Sequence, residues 1–148
     1  MKFKNLFFSI IAAGFLSSAV PVDKSPIVGR TAPKIETIDG TNVVGDANPA
    51  GKTHVISFWS PKKPASRIAN QKLSRIYGND SKDNVEFISI CTDSDEKLMN
   101  EVMKIDGVKA DKVYTSDQLS SRVMKDYGAD KSPRAFKISP DGKIVEVI

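Results

Sequence analysis

The sequence contains only one cysteine, Cys91, one histidine, His54, and one tryptophan, Trp59. A single cysteine excludes a disulfide bond within the chain, and it excludes chemistry that needs two thiols on one polypeptide. One histidine without a cluster of cysteines provides no set of metal ligands. We therefore predict no metal and no other cofactor.

The charged residues also lack a concentration of one sign. The chain has 22 Lys and Arg against 18 Asp and Glu, a net charge of +4, and the two signs are interspersed. No basic stripe follows a helix or strand, so nucleic-acid binding is not predicted. A length of 148 residues is typical of a single domain with one hydrophobic core.

The N-terminus has the pattern of a secretory signal peptide. Lys2 and Lys4 precede an apolar run at 6–16, and Ser17 and Ala19 are small residues at the −3 and −1 positions of a cleavage site. The run is shorter than the roughly 20 residues that span a bilayer. We predict a signal peptide at 1–19, an exported chain that is periplasmic or secreted, and no stable membrane span after cleavage. The alternative is an uncleaved membrane anchor.

After an extended lead-in at 20–32, the chain alternates strands with helices. Asp39-Gly40 lies between two alternating runs and predicts a β-hairpin, and apolar runs at 54–59 and 85–91 predict buried strands. Three helices are predicted. The first covers 64–77, the second runs from an N-cap within 92–95 through Ile105, and the third runs from a capping box at 115–118 to Tyr127. Three further strands are predicted near 112–114, at 134–138 and at 143–147. This order predicts an α/β fold with a mixed sheet.

Helical spacing predicts which side chains of the first two helices point inward. For the first helix these are Ala65, Ile68, Ala69, Leu73 and Ile76, and for the second they are Leu98, Val102 and Ile105.

One ordered set of motifs resembles a known family. Phe58-Trp59 is followed by a proline-bearing helix start and Arg67, Ser132-Pro133 precedes a strand, and an Asp-Gly-Lys turn at 141–143 opens the last strand. This set is similar to the TlpA/ResA-type exported thiol–disulfide oxidoreductases of the thioredoxin-like superfamily. The resemblance implies a thioredoxin-like domain at 33–148, with a central mixed sheet, helices on both faces and an N-terminal hairpin.

Two substitutions remove the chemistry of that family. Aligned on Phe58-Trp59 and Arg67, Lys63 occupies the position of the first active-site cysteine and Ser66 that of the second. Disulfide exchange needs a thiolate and a resolving thiol, and neither residue provides one. The degenerate motif therefore predicts no catalytic residue here.

The same resemblance implies a binding surface, because Pro133 matches the cis-proline that faces the motif and helps to hold an incoming peptide. The predicted binding residues are Trp59, Lys62, Lys63, Pro64, Ser132 and Pro133. Lys62 and Lys63 are interpreted either as an anion site at the helix start or as solvated lysines; a carbonyl-trapping role for Lys63 lacks the burial it needs. Cys91 is interpreted either as a buried packing residue or as a reactive thiol.

The leading functional hypothesis is a non-catalytic binding or accessory module of the cell envelope whose partner is an extended peptide or an envelope protein. The alternatives are a thiol–disulfide oxidoreductase and a structural or assembly subunit. The family's C-terminal helix is not predicted after 143–147. A truncated reading frame, cover from residues 20–32, or self-association are the explanations that the sequence leaves open.

Overall fold

The computed structural model describes residues 26–45, 51–78 and 84–148. The predicted signal peptide at 1–19 and the predicted lead-in up to residue 25 lie outside the described residues, as do 46–50 and 79–83. The described elements in chain order are β1 (Ile35–Glu36), β2 (Asn42–Val44), β3 (Thr53–Trp59), α1 (Pro64–Tyr77), β4 (Val85–Cys91), α2 (Glu96–Asp106), β5 (Lys112–Thr115), a 3₁₀ helix (Ser116–Gln118), α3 (Arg122–Asp126), β6 (Ala135–Ile138) and β7 (Ile144–Val147).

Five strands form one mixed sheet in the order β5-β4-β3-β6-β7. Strand β3 is parallel to β4, and β4 is parallel to β5, whereas β6 runs antiparallel to both β3 and β7. Strands β1 and β2 form a separate antiparallel hairpin. The mixed sheet and the N-terminal hairpin that the sequence predicts are both confirmed.

The two faces of the sheet are packed by different elements. Ile56 and Phe58 of β3 point towards α3 and the hairpin, where Phe58, Tyr127 and Phe136 form an aromatic cluster with ring centroids 5.1 to 6.1 Å apart. The next side chains along β3 point to the opposite face because side chains alternate along a strand. There Val55 packs with Leu73 of α1, and Trp59 packs with the methionines of α2. Helices therefore cover both faces, as predicted.

The predicted inward face of α1 is right at Leu73 and wrong at its two alanines and two isoleucines. Ile68 and Ile76 are 53% and 69% exposed, and the residues of α1 that are buried are Asn70, Leu73 and Ser74. The buried polar side chains find partners across the interface: the Ser74 hydroxyl accepts from the backbone N–H of Lys109 at 2.7 Å and donates to the Lys109 carbonyl at 2.9 Å. These tertiary hydrogen bonds select the more polar face of the helix for burial.

The inward face of α2 also differs from the prediction at one position. Met99, Val102 and Met103 are buried, whereas Ile105 is 78% exposed. Because the two methionines are buried, the inward side of α2 is centred on them, and Ile105 lies outside it. The N-cap is Asp95, whose carboxylate accepts from the backbone N–H of Leu98 at 2.9 Å.

The single third helix predicted from the capping box to Tyr127 is wrong. The capping box forms between Thr115 and Gln118, but it caps only the 3₁₀ turn. The chain then becomes extended at Leu119, because the segment after Gln118 pairs with the hairpin: the N–H of Ser120 donates to the carbonyl of Glu36 at 2.8 Å. This pairing buries Leu119 and delays the start of α3 to Arg122.

No helix in the described part of the chain is both long enough and apolar enough to cross a membrane.

Candidate functional site

The predicted site residues come from two loops that meet at one edge of the sheet. The loop after β3 carries Lys62 and Lys63 into the start of α1, and a second loop carries Ser132 and Pro133 into β6. The backbone N–H of Phe58 donates to the carbonyl of Arg134 at 2.9 Å and holds the second loop beside the first. Crevices at the carboxyl ends of parallel strands are where α/β sheets place their ligand sites.

The position of the missing first cysteine is the N-cap of α1. Lys63 has an extended backbone and makes no side-chain cap, and Pro64 is the first residue of the helix. The carbonyl of Lys63 accepts from the N–H groups of Ser66 and Arg67, at 3.0 and 3.1 Å. The exposed ammonium of Lys63 therefore lies at the positive end of the helix dipole, where a thiolate would be stabilised and a cation is not.

The position of the missing second cysteine is tied to the loop by hydrogen bonds. The Ser66 hydroxyl oxygen accepts from the backbone N–H of Ser60 at 3.0 Å and donates to the carbonyl of Lys63, 2.8 Å away. Both functions of the hydroxyl are used to close the loop on the helix. Among the described residues, no side chain that could act as a base forms a hydrogen bond with Ser66. The geometry therefore provides no activated nucleophile.

A carboxylate that sequence reasoning did not assign to this site stands beside the loop. Asp93 accepts from the Ser60 hydroxyl at 2.7 Å, and its other oxygen lies 3.5 Å from the ammonium of Lys62. The N-cap predicted within 92–95 is Asp95, so Asp93 is not the residue that caps α2. The sequence contained a signal for this position. Asp93 follows β4, which is parallel to β3, and β3 ends at this loop. This carboxylate neutralises part of the positive charge of Lys62 and Lys63.

Trp59 lies beneath this loop and not on its surface. Its side chain is 1% exposed, and its indole N–H donates to the Ser89 hydroxyl at 2.9 Å. Ser89 in turn donates to the amide oxygen of Asn70, at 3.2 Å. The amide nitrogen of Asn70 has no partner among the described atoms. Trp59 is therefore a buried support of the loop, and a ligand on the surface does not reach it.

Cys91 is fully buried beside Trp59, its neighbour in the register of β3 and β4. Burial raises the pKa of the thiol from 9.0 to about 11, because an apolar environment disfavours the thiolate. The thiol packs with Met99, Val102 and Met103 of α2. These facts favour the packing interpretation of Cys91 over the reactive one.

Alkylation measures this burial. With the pKa raised to about 11, native Cys91 has about a hundredfold less thiolate at pH 8 than an unshifted thiol. We expect native protein to react with iodoacetamide at least about a hundredfold more slowly than urea-unfolded protein. Below the pKa the native rate should rise about tenfold per pH unit, because only the thiolate reacts. Equal native and unfolded rates at pH 8, followed by mass spectrometry, would identify Cys91 as a reactive thiol.

The second loop presents Ser132 as exposed and Pro133 as half-buried. The described residues contain no cis peptide bond, so the Ser132–Pro133 bond is trans. The cis-proline that the family resemblance implies at this position is therefore not present. The residue after Pro133, Arg134, bonds through its carbonyl to the N–H of Phe58, so the loop before β6 lies beside the end of β3.

The sheet order, the helix that starts where β3 ends, and the facing loop before β6 define a thioredoxin-like protein. The profile of the redoxin family matches residues 27–148, and the chain belongs to that family. Its single cysteine means that it lacks the Cys-x-x-Cys motif.

Solved structures share this fold. A thioredoxin-like protein from Parabacteroides distasonis is 24% identical, with a TM-score of 0.68 over 83% of this chain and 88% of that one. A thiol:disulfide interchange protein from a Bacteroides species is 22% identical, with a TM-score of 0.64 over 82% and 80%. A secreted disulfide oxidoreductase from Mycobacterium tuberculosis is 19% identical, with a TM-score of 0.55 over 78% and 81%. No curated protein matches the chain.

Proposed function

We propose that this chain is an exported redoxin-family protein that binds an extended peptide or an envelope protein at the two-loop site and carries out no thiol–disulfide exchange. The observation that carries the proposal is the state of the helix start, where Lys63 and Ser66 replace both sulfurs and the Ser66 hydroxyl is used in structural hydrogen bonds. Export is supported by the pattern of residues 1–19.

The remaining cysteine does not substitute for the missing pair. Exchange needs an exposed thiolate that attacks a disulfide and a second thiol that resolves the mixed disulfide. Cys91 is buried, its pKa is raised to about 11, and no second cysteine exists. Insulin reduction by the wild-type protein that disappears in Cys91→Ser would replace this proposal with the alternative of an active oxidoreductase.

A surface for an extended chain remains although the sulfurs are gone. Lys63, Pro64 and Ser132 are exposed, and Pro133 of the second loop is half-buried. Lys62 is paired with Asp93, but its side chain is still 72% exposed. The surface therefore offers two lysines and two prolines to a peptide that lies across the carboxyl ends of the strands.

Peptide binding tests the proposal. We expect fluorescein-labelled, S-carboxymethylated insulin B chain to bind the wild-type protein, and Lys62→Ala/Lys63→Ala to weaken binding about three- to tenfold at low salt. The reason is the loss of two cations whose interactions with a carboxylate ligand are weakly screened under those conditions. Fluorescence anisotropy measures both affinities.

The matched control is Lys104→Ala/Lys143→Ala, which removes the same charge from two exposed lysines, one in the last turn of α2 and one before β7. It should leave the affinity within about twofold of the wild type, because surface charges far from a ligand are screened. Equal weakening by both double variants, or no effect of Lys62→Ala/Lys63→Ala, would reject the two-loop site.

Self-assembly is a second candidate, favoured by the outer strand β7. Val145, Val147 and Ile148 are 47%, 39% and 48% exposed, and the segment at 29–32 pairs with the start of this strand. Outer strands with exposed apolar residues invite pairing with another chain. Gel filtration over a range of concentrations decides between the candidates, and a strict monomer rejects assembly.

A further inference from the structure

Helix α1 turns its isoleucines outward. We define the α1 outer face as Ala65, Ile68, Ala69, Lys72, Arg75 and Ile76, all of which are exposed. Their spacing places them along one side of the helix, which over 14 residues is about 21 Å long. Such an apolar stripe is normally the side of a helix that packs on a core.

Hydrogen bonds on the opposite side hold α1 in this orientation. Arg67 forms a two-point ion pair with Asp106 of α2, at 2.6 and 2.9 Å, and the Gln71 side chain donates to the Asp106 carbonyl at 2.8 Å. Ser74 bonds to both backbone groups of Lys109. Rotating the isoleucines inward would break all of these contacts and leave buried polar groups unpaired. The apolar stripe is therefore a fixed feature of the surface.

A small hollow adjoins the stripe. It has a volume of about 130 Å³ and is lined by Pro64, Arg67, Ile68, Gln71 and Asp106. Both residues of the bidentate ion pair line the hollow, together with Ile68. A hollow next to an exposed isoleucine accepts an apolar side chain from a partner, as the centres of protein interfaces do.

The charge of the α1 outer face has one sign. Helix α1 contains Arg67, Lys72 and Arg75 and no acidic residue. Arg67 is neutralised by Asp106, but among the described residues neither Lys72 nor Arg75 forms an ion pair with a carboxylate. Both cations lie within the apolar stripe. Lys72 is between Ile68 and Ile76, and Arg75 is beside Ile76.

We propose that the α1 outer face docks an amphipathic helix of a partner protein whose apolar residues are flanked by Asp or Glu. The isoleucines provide the apolar contact, and Lys72 and Arg75 select the acidic flanks by charge complementarity. This surface extends from the helix start down the length of α1, and it goes beyond the two-loop site of the proposed function.

Two other occupants fit less well. In a two-fold dimer through this face, two surfaces that each carry Lys72 and Arg75 and no carboxylate would meet, and like charges across an interface are costly. Helices that lie on membranes use Trp, Phe or Leu on the apolar side, whereas this face has two isoleucines and two alanines. An acidic protein helix therefore satisfies both the apolar and the charged part of the surface.

A displayed library of helical peptides tests the proposal on the full protein. The library fixes apolar residues at i, i+3, i+4 and i+7 and varies the flanking positions equally among Glu, Gln and Lys. We expect the selected binders to carry Glu several-fold more often than Lys at those positions. Enrichment of Lys or Gln, or a selection without binders, would overturn the proposal.

Variants then locate the contact, with the best selected peptide as the probe. Ile68→Ser/Ile76→Ser should weaken its binding about tenfold or more, and Lys72→Glu/Arg75→Glu about tenfold with a reduced dependence on salt. Ile38→Ser is the control, since Ile38 lies beside the hairpin and is 78% exposed, more than either isoleucine of α1. Circular dichroism melting confirms that the variants fold.

The remaining outcomes identify a different occupant or a different site. Equal weakening by Ile38→Ser would show non-specific apolar binding and overturn the proposal. A dimer that Ile68→Ser/Ile76→Ser dissociates, or binding to phosphatidylglycerol vesicles without binding to the peptide, would assign the face to a second copy or to a membrane. Lys62→Ala/Lys63→Ala tests the two-loop site separately, because it leaves the α1 outer face unchanged.

Discussion

Introducing Lys63→Cys together with Ser66→Cys is expected to give the protein a dithiol–disulfide exchange activity, which we propose that the wild type does not have. Lys63 is the N-cap of α1, and Ser66 lies in its first turn. A cysteine at the N-cap gains from the helix dipole, which lowers the pKa of a thiol below about 8.5. The second cysteine, three residues later in the same turn, resolves the mixed disulfide.

Insulin reduction with dithiothreitol as the electron donor measures this gain. We expect the double variant to exceed the wild-type rate by at least about tenfold, while either single variant forms mixed disulfides without turnover. The variant is best made with Cys91→Ser as well, so that no buried thiol contributes. Lys63→Ser together with Ser66→Ala is the matched control, since it changes the same positions without adding sulfur.

A folded double variant that reduces insulin no faster than the wild type would contradict the assignment of this loop to the degenerate active site. The folding check matters because Ser66 holds the loop through the N–H of Ser60 and the carbonyl of Lys63. Loss of these bonds costs about 1 kcal/mol each, which a stable domain tolerates.

Leu73→Ala is expected to lower the free energy of unfolding by about 3 kcal/mol, whereas Ile76→Ala should change it by less than about 0.5 kcal/mol. The two residues lie three positions apart on α1. Leu73 is buried against Val55, Phe87 and Ala135, and its truncation leaves a cavity. Ile76 is exposed, and alanine has the higher helix propensity.

Urea unfolding monitored by circular dichroism checks this pair, with the m-value compared between variants to establish that the transition is unchanged. Ile68→Ala is a second exposed control on the same helix, and we expect it to behave like Ile76→Ala. A loss of stability in Ile76→Ala as large as that in Leu73→Ala would mean that α1 buries the face predicted from the sequence. The α1 outer face would then not exist.

The strands were predictable because each carries its own signal. The predicted strand 85–91 coincides with β4, whose last five residues are buried, and β3 is one residue longer than predicted. Central strands of a parallel sheet are covered on both sides, so a continuous apolar run indicates them without knowledge of the neighbours. The Asp39-Gly40 turn indicates the hairpin for a similar local reason.

The helix faces were not predictable because their burial depends on partners distant in the sequence. Spacing alone favoured Ile68 and Ile76 as the buried residues. The structure buries Ser74 instead, because its hydroxyl bonds to backbone groups of Lys109, 35 residues away. Likewise the third helix is interrupted because Leu119 belongs to the packing of the hairpin. In each case hydrogen bonds between separate elements outweigh a local pattern.

The candidate site divides in the same way. The exclusion of dithiol chemistry follows from the sequence by itself, because a chain with one cysteine cannot form and resolve a disulfide within itself, whatever its fold. Lys63 and Ser66 could be aligned with the missing cysteines, since they are local to a recognisable strand and helix start. Asp93 was not assigned to the site, because its contact with Ser60 joins two loops 33 residues apart.

Only the tertiary structure decided that Trp59 and Cys91 are buried together, that Asp93 neutralises part of the loop, and that the isoleucines of α1 face outward. The physical reason is that burial belongs to the packed arrangement of elements and not to any one segment. A side chain is inside only if another element covers it, and which element covers it is set by long-range contacts.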